Sequence, residues 1–166
     1  MIKSLSIIFP LYNESKRLKY CFQNIDIFNS NSSIKKLEYI FVDDGSVDDS
    51  YQLIFDFIKK RKKKMKEIKY KIIKFNKNEG KGAALISGIK NASKEWMLTI
   101  DTDISVSLLE INNWIKCNYF EINKEIYFGS RNLKKSIIKF EYHRKLIGLF
   151  FILICKFFLD IKLYDT

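Results

Sequence analysis

The chain predicts an α/β sandwich built around a mostly parallel sheet. Three observations carry that expectation. Apolar runs of strand length alternate with stretches whose apolar residues repeat at helical spacing. The alternation extends along 166 residues, enough for one domain with a sizeable core. The loop after each apolar run is polar, as expected where ligands meet the carboxyl ends of parallel strands.

Taken in order, residues 5–9 form a first strand. Leu18, Cys21, Phe22, Ile25 and Phe28 then fall on one face of a helix. Residues 37–42 read as a second buried strand. Ser46 is placed to cap the next helix, with Asp49 three residues on, and Leu53, Ile54, Phe57 and Ile58 form its apolar side. Residues 70–75 make a third strand, 82–92 a helix and 96–100 a fourth strand. A helix near 108–116, a fifth strand over 126–128 and a long helix over roughly 141–159 complete the pattern.

Composition narrows the possible partners. Apolar residues make up 47% and aromatics 15%, which excludes global disorder. The net charge of +11 admits nucleic acid, an anionic membrane surface or a phosphorylated substrate. Residues 59–71 hold nine basic side chains, but aromatics do not interleave with them as a nucleic-acid stacking platform requires. Cys21, Cys117 and Cys155 are odd in number and widely spaced, which argues against a zinc site or a disulfide framework and suits reduced thiols. Residues 5–9 run straight into Pro10 and are too short for a signal peptide. Residues 146–155 carry no charge, yet a spanning helix needs about 20 apolar residues. That stretch reads as a core helix or as one lying in a membrane interface, with Lys145, Lys156 and Lys162 at its margins.

The chemistry concentrates after the strands. Asp101-Thr102-Asp103 closes the apolar run 96–100 and offers two hard oxygen ligands to one divalent cation. A cation there would neutralise the diphosphate of a nucleotide sugar. Pro10-Leu11-Tyr12-Asn13-Glu14, Asp43-Asp44-Gly45-Ser46-Val47-Asp48, Asn76-Lys77-Asn78-Glu79-Gly80-Lys81-Gly82 and Gly129-Ser130-Arg131 are expected along the same edge. Any one of these loops is explained equally well by turn and cap chemistry.

Taken together, these motifs resemble the family 2 glycosyltransferases, and within them the dolichyl- or polyprenyl-phosphate branch. The matching residues are Phe9 to Glu14, Val42-Asp43-Asp44-Gly45-Ser46 with Asp48, Asn78 to Ala84, Asp101 to Ser105, and Gly129-Ser130-Arg131. The resemblance implies the nucleotide-diphospho-sugar transferase fold. It implies a nucleotide-sugar-binding catalytic domain over 1–135 and an interfacial helical segment over 136–166. Pro10, Leu11, Tyr12, Asn13 and Glu14 would surround the nucleoside, and Asp43 would accept a hydrogen bond from the base. Asp44 and Asp48 either join that site or only stabilise the turn. Gly80 and Gly82 would let backbone approach phosphate, with Lys81 as a point charge. Asp101 and Asp103, with Thr102 between them, would hold Mg²⁺ or Mn²⁺. Ser130, Arg131 and Arg144 would receive the acceptor phosphate, and Asp101, Asp103 and Arg131 would be the catalytic set.

The implied reaction moves a hexose, from UDP-glucose in the first place and GDP-mannose next, to a polyprenyl or dolichyl phosphate with inversion. The enzyme would sit on the cytoplasmic face of a membrane and bind no nucleic acid. Two alternatives stay open: a nucleotide-sugar- and membrane-binding module without turnover, and a family 2 transferase acting on a cell-surface glycan. Family members continue beyond Asp165-Thr166, so a fragment or a short form is expected. His143, the single histidine, is expected to be structural or exposed.

Overall fold

The computed structural model describes residues 2–62, 68–117, 126–127, 129 and 150. The chain divides into two compact units, Met1–Glu121 and Ile122–Thr166. In the first, β1 (Ser4–Leu11) leads into α1 (Ser15–Asn31), β2 (Lys36–Asp43), α2 (Ser50–Lys62), β3 (Lys69–Lys74), α3 (Lys81–Asn91), β4 (Trp96–Thr99) and α4 (Glu110–Lys116). The strands are all parallel, in the order β3-β2-β1-β4.

Parity along the strands sorts the side chains onto two faces. Ile7 and Phe9 of β1 and Tyr39 and Phe41 of β2 face Leu18, Cys21, Ile25 and Phe28 of α1 and Ile54 and Phe57 of α2. Cross-strand partners stack there: Phe9 on Phe41 at 5.1 Å, and Tyr39 on Tyr70 at 5.3 Å between ring centroids. Leu108 and Ile111 pack into the same cluster, so α4 joins this layer. The opposite face carries Ile8, Ile40 and Val42 against Ala84 of α3. Helix and sheet meet closely because Gly88 has no side chain; a Cβ there would stand 2.3 Å from Cγ2 of Ile8.

A buried carboxylate ties down the amino ends of the strands. Glu38 lies in β2 between Leu37 and the apolar run 39–42, fully buried. It accepts hydrogen bonds from the Ser6 hydroxyl at 2.6 Å, the Ser93 N–H at 2.8 Å and the Ser93 hydroxyl at 3.0 Å. Lys71 of β3 pairs with it at 3.0 Å. Burial alone would raise its pKa, but these bonds outweigh burial and hold the carboxyl down at about 2. Ser6 Oγ also accepts the Lys94 N–H, and Ser4 Oγ the Glu95 N–H. The segment entering β4 is thereby fixed beside β1. Burial also pushes the Cys21 thiol up to about 12, so it is unreactive at neutral pH.

Most of the expected elements appear with ends shifted by a few residues. Ser46 is an exception. It does not cap α2, which begins at Ser50, because its Oγ accepts the Asn13 N–H at 2.9 Å. Asp48 serves the start of α2 instead, accepting the Ser50 N–H at 3.0 Å. Ile126 and Tyr127 of the expected fifth strand are irregular. Phe128 and, apart from Phe150, the helix expected over 141–159 lie outside the described residues.

Candidate active site

The site follows from where one ladder stops. β1 pairs with β2 as far as Leu11 opposite Asp43, but with β4 only from Leu5 to Ile8. The Ile100 N–H donates to the Ile8 carbonyl at 3.1 Å. Two residues on, Pro10 has no N–H to extend the ladder toward β4. The strands part there. A crevice of about 330 Å³ opens between Pro10, Lys81, Leu85, Asp101, Ser105 and Val106. Its position is the switch point of the sheet. The chain steps outward through β2 and β3 with α1 and α2 on one face, then crosses by α3 on the other to place β4 beside β1.

Three polar loops at the carboxyl ends of β1, β2 and β3 are stitched together. The Asn13 N–H donates to Ser46 Oγ, Glu14 N–H to Ser50 Oγ and Ser15 N–H to Asp48 Oδ2, while Asn13 Oδ1 accepts the Val47 N–H. Burial works against ionisation of Asp48, but the bonds from Ser50 and Ser15 prevail and hold it at about 2. Asp44, 3% exposed, accepts the Glu79 N–H at 2.7 Å on one oxygen and the Gly80 N–H at 2.9 Å on the other. Its carboxylate therefore sets the loop that enters α3. Asp43 is fully buried at the end of β2. Its Oδ1 accepts the Ser46 N–H at 2.9 Å, and its Oδ2 is buried without a hydrogen-bond partner among the described residues. An acceptor left in that state calls for a donor from a ligand.

Gly45 carries a positive φ of 74°, and a Cβ on it would lie 2.4 Å from the Lys77 carbonyl carbon. The Asp43–Asp48 turn and the Asn76–Gly80 loop touch backbone to backbone at this point. Gly45→Ala would combine left-handed strain with a clash that neither backbone can relieve. It is expected to lower stability by about 2–4 kcal/mol, measured by thermal unfolding.

Gly80 also has a positive φ, 94°, and caps α3 without a side-chain hydrogen bond. Among the described residues, beyond its chain neighbours and its own helix backbone, nothing lies within 4 Å of a Cβ built on Gly80 or Gly82. That leaves room beside the first turn of α3, whose leading N–H groups have no acceptor within the helix, and such a turn suits phosphate. Lys81, between the two glycines, reaches Asp101 at 2.8 Å from Oδ1 and 3.0 Å from Oδ2. Beyond Asp101 the chain turns sharply. The Ile104 N–H returns to the Asp101 carbonyl, and the Ser105 N–H donates to Asp103 Oδ1 at 3.0 Å. Ile104 holds a positive φ of 48° while buried, a costly conformation for a β-branched residue. On this tight turn Asp101 and Asp103 are exposed while Thr102 between them is buried.

Among the described residues no group of three or more Asp, Glu, His or Cys side chains converges. Two carboxylates on one turn nevertheless fit a hard divalent cation of the Mg²⁺ type, which keeps water and substrate phosphate as its remaining ligands. Asp101 already attracts an ammonium, which shows its affinity for positive charge.

The other expected site residues divide clearly. Tyr12 is 44% exposed beside the crevice loops. The Leu11 side chain belongs to the core, the Asn13 amide oxygen is taken by Val47, and the Glu14 carboxylate pairs with Arg17 at 2.9 Å. Ser130, Arg131, Arg144 and His143 lie outside the described residues. Leu85 and Val106 line the crevice without having been expected there; their signal is only their spacing from Lys81 and Asp103.

The model of the family described as Glycosyl transferase family 2 matches residues 6–159. The dolichyl-phosphate beta-glucosyltransferase of Dictyostelium discoideum is 30% identical over 112 residues, covering 65% of this chain and 33% of that protein. The dolichol-phosphate mannosyltransferase of Pyrococcus furiosus is 28% identical over 147 residues, covering 87% of this chain and 38% of its own length. The chain therefore spans about a third of these relatives. Among solved structures, a mannosyltransferase from Pyrobaculum calidifontis, crystallised with GDP-Man and Mn²⁺, superposes with a TM-score of 0.54 at 21% identity over 62% of this chain and 28% of that one. That likeness shows the fold, a nucleotide-sugar transferase sandwich with a parallel central sheet. With most of its length matched by the family model, the chain belongs to glycosyl transferase family 2.

Proposed function

We propose that this chain carries the nucleotide-sugar site of an inverting transferase that moves a hexose to a polyprenyl or dolichyl phosphate. The observation that carries the reading is the crevice between β1 and β4, where Lys81 and Asp101 meet beside the open first turn of α3. The unpartnered Oδ2 of Asp43 supplies the base contact. A carboxylate suits the imide N–H of uracil, and guanine offers donors as well. The glucosyl name of the Dictyostelium relative favours UDP-glucose, and the Pyrococcus relative keeps GDP-mannose second.

Asp101 and Asp103 would hold Mg²⁺ or Mn²⁺, which supplies neutralising charge to the leaving diphosphate when bound. Asp44 holds the loop that aims the α3 amide groups. Lys81 lends its positive charge to the departing phosphates. The acceptor phosphate is already an anion near neutral pH, its second pKa being about 6. Its oxygen forms the new bond at the anomeric carbon as the bond to the diphosphate breaks, so configuration inverts. No side chain need activate the nucleophile, which suits a chain with a single histidine. Ser130, Arg131 and Arg144 are proposed to receive the acceptor phosphate. The 146–159 stretch and the basic run 59–71 are proposed to hold a cytoplasmic membrane surface. Among the described residues no helix is long and apolar enough to cross a membrane.

The test supplies labelled UDP-glucose or GDP-mannose with Mn²⁺ and polyprenyl phosphate. Label is expected in organic-extractable lipid phosphate. Label on protein or polysaccharide alone would reject the acceptor class. Because the chain spans about a third of its relatives, a second reading is a module that binds without turnover. Metal-dependent calorimetric binding of UDP-glucose with no transfer would favour that one.

A further inference from the structure

We propose that Lys81 is a tethered cation that occupies Asp101 until a diphosphate draws it away, coupling nucleotide binding to divalent-cation binding. The inference rests on the reading of Asp101 as a metal ligand. One ammonium engages both oxygens of this carboxylate, at 2.8 and 3.0 Å. A carboxylate so engaged is a poorer ligand for a second cation, because the two positive charges compete for the same oxygens and repel each other.

The pair is placed to open. Its side chains are 62% and 55% exposed, and exposed ion pairs of this kind are weak. Open space lies over Gly80 and Gly82 on either side of Lys81. A diphosphate entering over the first turn of α3 offers the ammonium more negative charge than one carboxylate does. When Lys81 turns to it, Asp101 loses its competitor, and the diphosphate adds oxygen ligands of its own. The linkage runs both ways. A cation that takes Asp101 releases Lys81 for phosphate, so each ligand tightens the other by the same factor. The reading of Lys81 as a phosphate contact alone does not require this, since it leaves the affinity for metal without nucleotide untouched.

The experiment titrates the full chain with Mn²⁺ and follows the signal of the free aquo ion by electron paramagnetic resonance, first alone and then with UDP. Lys81→Met is expected to bind Mn²⁺ alone about 2- to 5-fold more tightly than the unmodified chain. UDP should then improve its Mn²⁺ affinity by a smaller factor. Lys81→Arg retains a cation able to pair with Asp101 and should keep the weaker Mn²⁺ binding. Thermal unfolding checks that each variant is folded, and Lys81→Gln stands in should the Met variant fail. Mn²⁺ affinity unchanged or reduced in folded Lys81→Met or Lys81→Gln would overturn the coupling while leaving the nucleotide-sugar reading in place. No Mn²⁺ binding by the unmodified chain, with or without UDP, would overturn both.

Discussion

Asp103→Asn is expected to cut sugar transfer by a factor of about 100 or more while leaving the fold intact. The structure separates the two effects. Asp103 is exposed, and among the described residues its side chain makes one hydrogen bond, accepting the Ser105 N–H on Oδ1. An asparagine carbonyl oxygen can accept that same bond, so the turn from Asp101 to Ser105 should keep its shape. The second oxygen becomes an amide nitrogen, which donates rather than ligates, and one negative charge is lost. Electrostatic groups aimed at a leaving group commonly contribute about 3–4 kcal/mol each. Unfolding stability should change by no more than about 0.5 kcal/mol. Transfer kinetics and thermal unfolding on the same preparation check both halves. Full transfer activity in the variant would remove Asp103 from the metal site.

The largest expected loss of stability lies at the other edge of the sheet. Glu38→Ala should lower the unfolding free energy by about 3–5 kcal/mol. It leaves the buried Ser6 hydroxyl and the Ser93 N–H without their acceptor and removes the carboxylate from Lys71, which keeps only its bond to the Asn91 carbonyl among the described residues. The pH dependence carries the same signature. The carboxyl sits at about 2 in the fold against its usual 4.5, so the folded value is depressed. Its stabilisation is fully present above pH 4.5 and is lost as pH falls toward 2, amounting to about 3 kcal/mol. Asp48, held at about 2 from its usual 3.8, contributes with the same sign. Urea unfolding between pH 2 and 6 should therefore show a shallower acid limb in Glu38→Ala, with the Asp48 portion remaining. Since Ser93 and Lys94 lead into β4, the substitution should also widen the gap between β4 and β1 and weaken nucleotide binding.

The alternation of apolar runs and helical spacing predicts β1 to β4 and α1 to α4 because each signal is local. An apolar run such as 37–42 has few other uses in a chain of this length, and Leu18, Cys21, Ile25 and Phe28 share one helical face whatever they pack against. The gathering of the polar loops at one edge also follows from parallel topology alone. What sequence does not disclose is which polar groups satisfy one another across long separations. Ser46 has the local look of a helix cap, yet its hydroxyl serves Asn13, 33 residues away. Asp44 reads equally as a ligand contact or a turn residue until Glu79 and Gly80 are seen on its two oxygens. Glu38 passes unremarked inside the run 37–42, since its bond to Ser6 across the ladder has no local signal. The Lys81–Asp101 pair depends on β4 returning beside β1, which no local pattern encodes.

The claim that the β1–β4 crevice holds a nucleotide diphosphate with a divalent cation is tested most directly by paramagnetic mapping. Amide spectra of the isotope-labelled full chain would be recorded with UDP and Mg²⁺, then with trace Mn²⁺. Resonances of Gly80, Lys81, Asp101, Thr102 and Asp103 are expected to broaden first, with those of Glu38 and Ser93 at the opposite edge unaffected. Broadening centred on Glu38 and Ser93, or none that depends on UDP, would contradict the site.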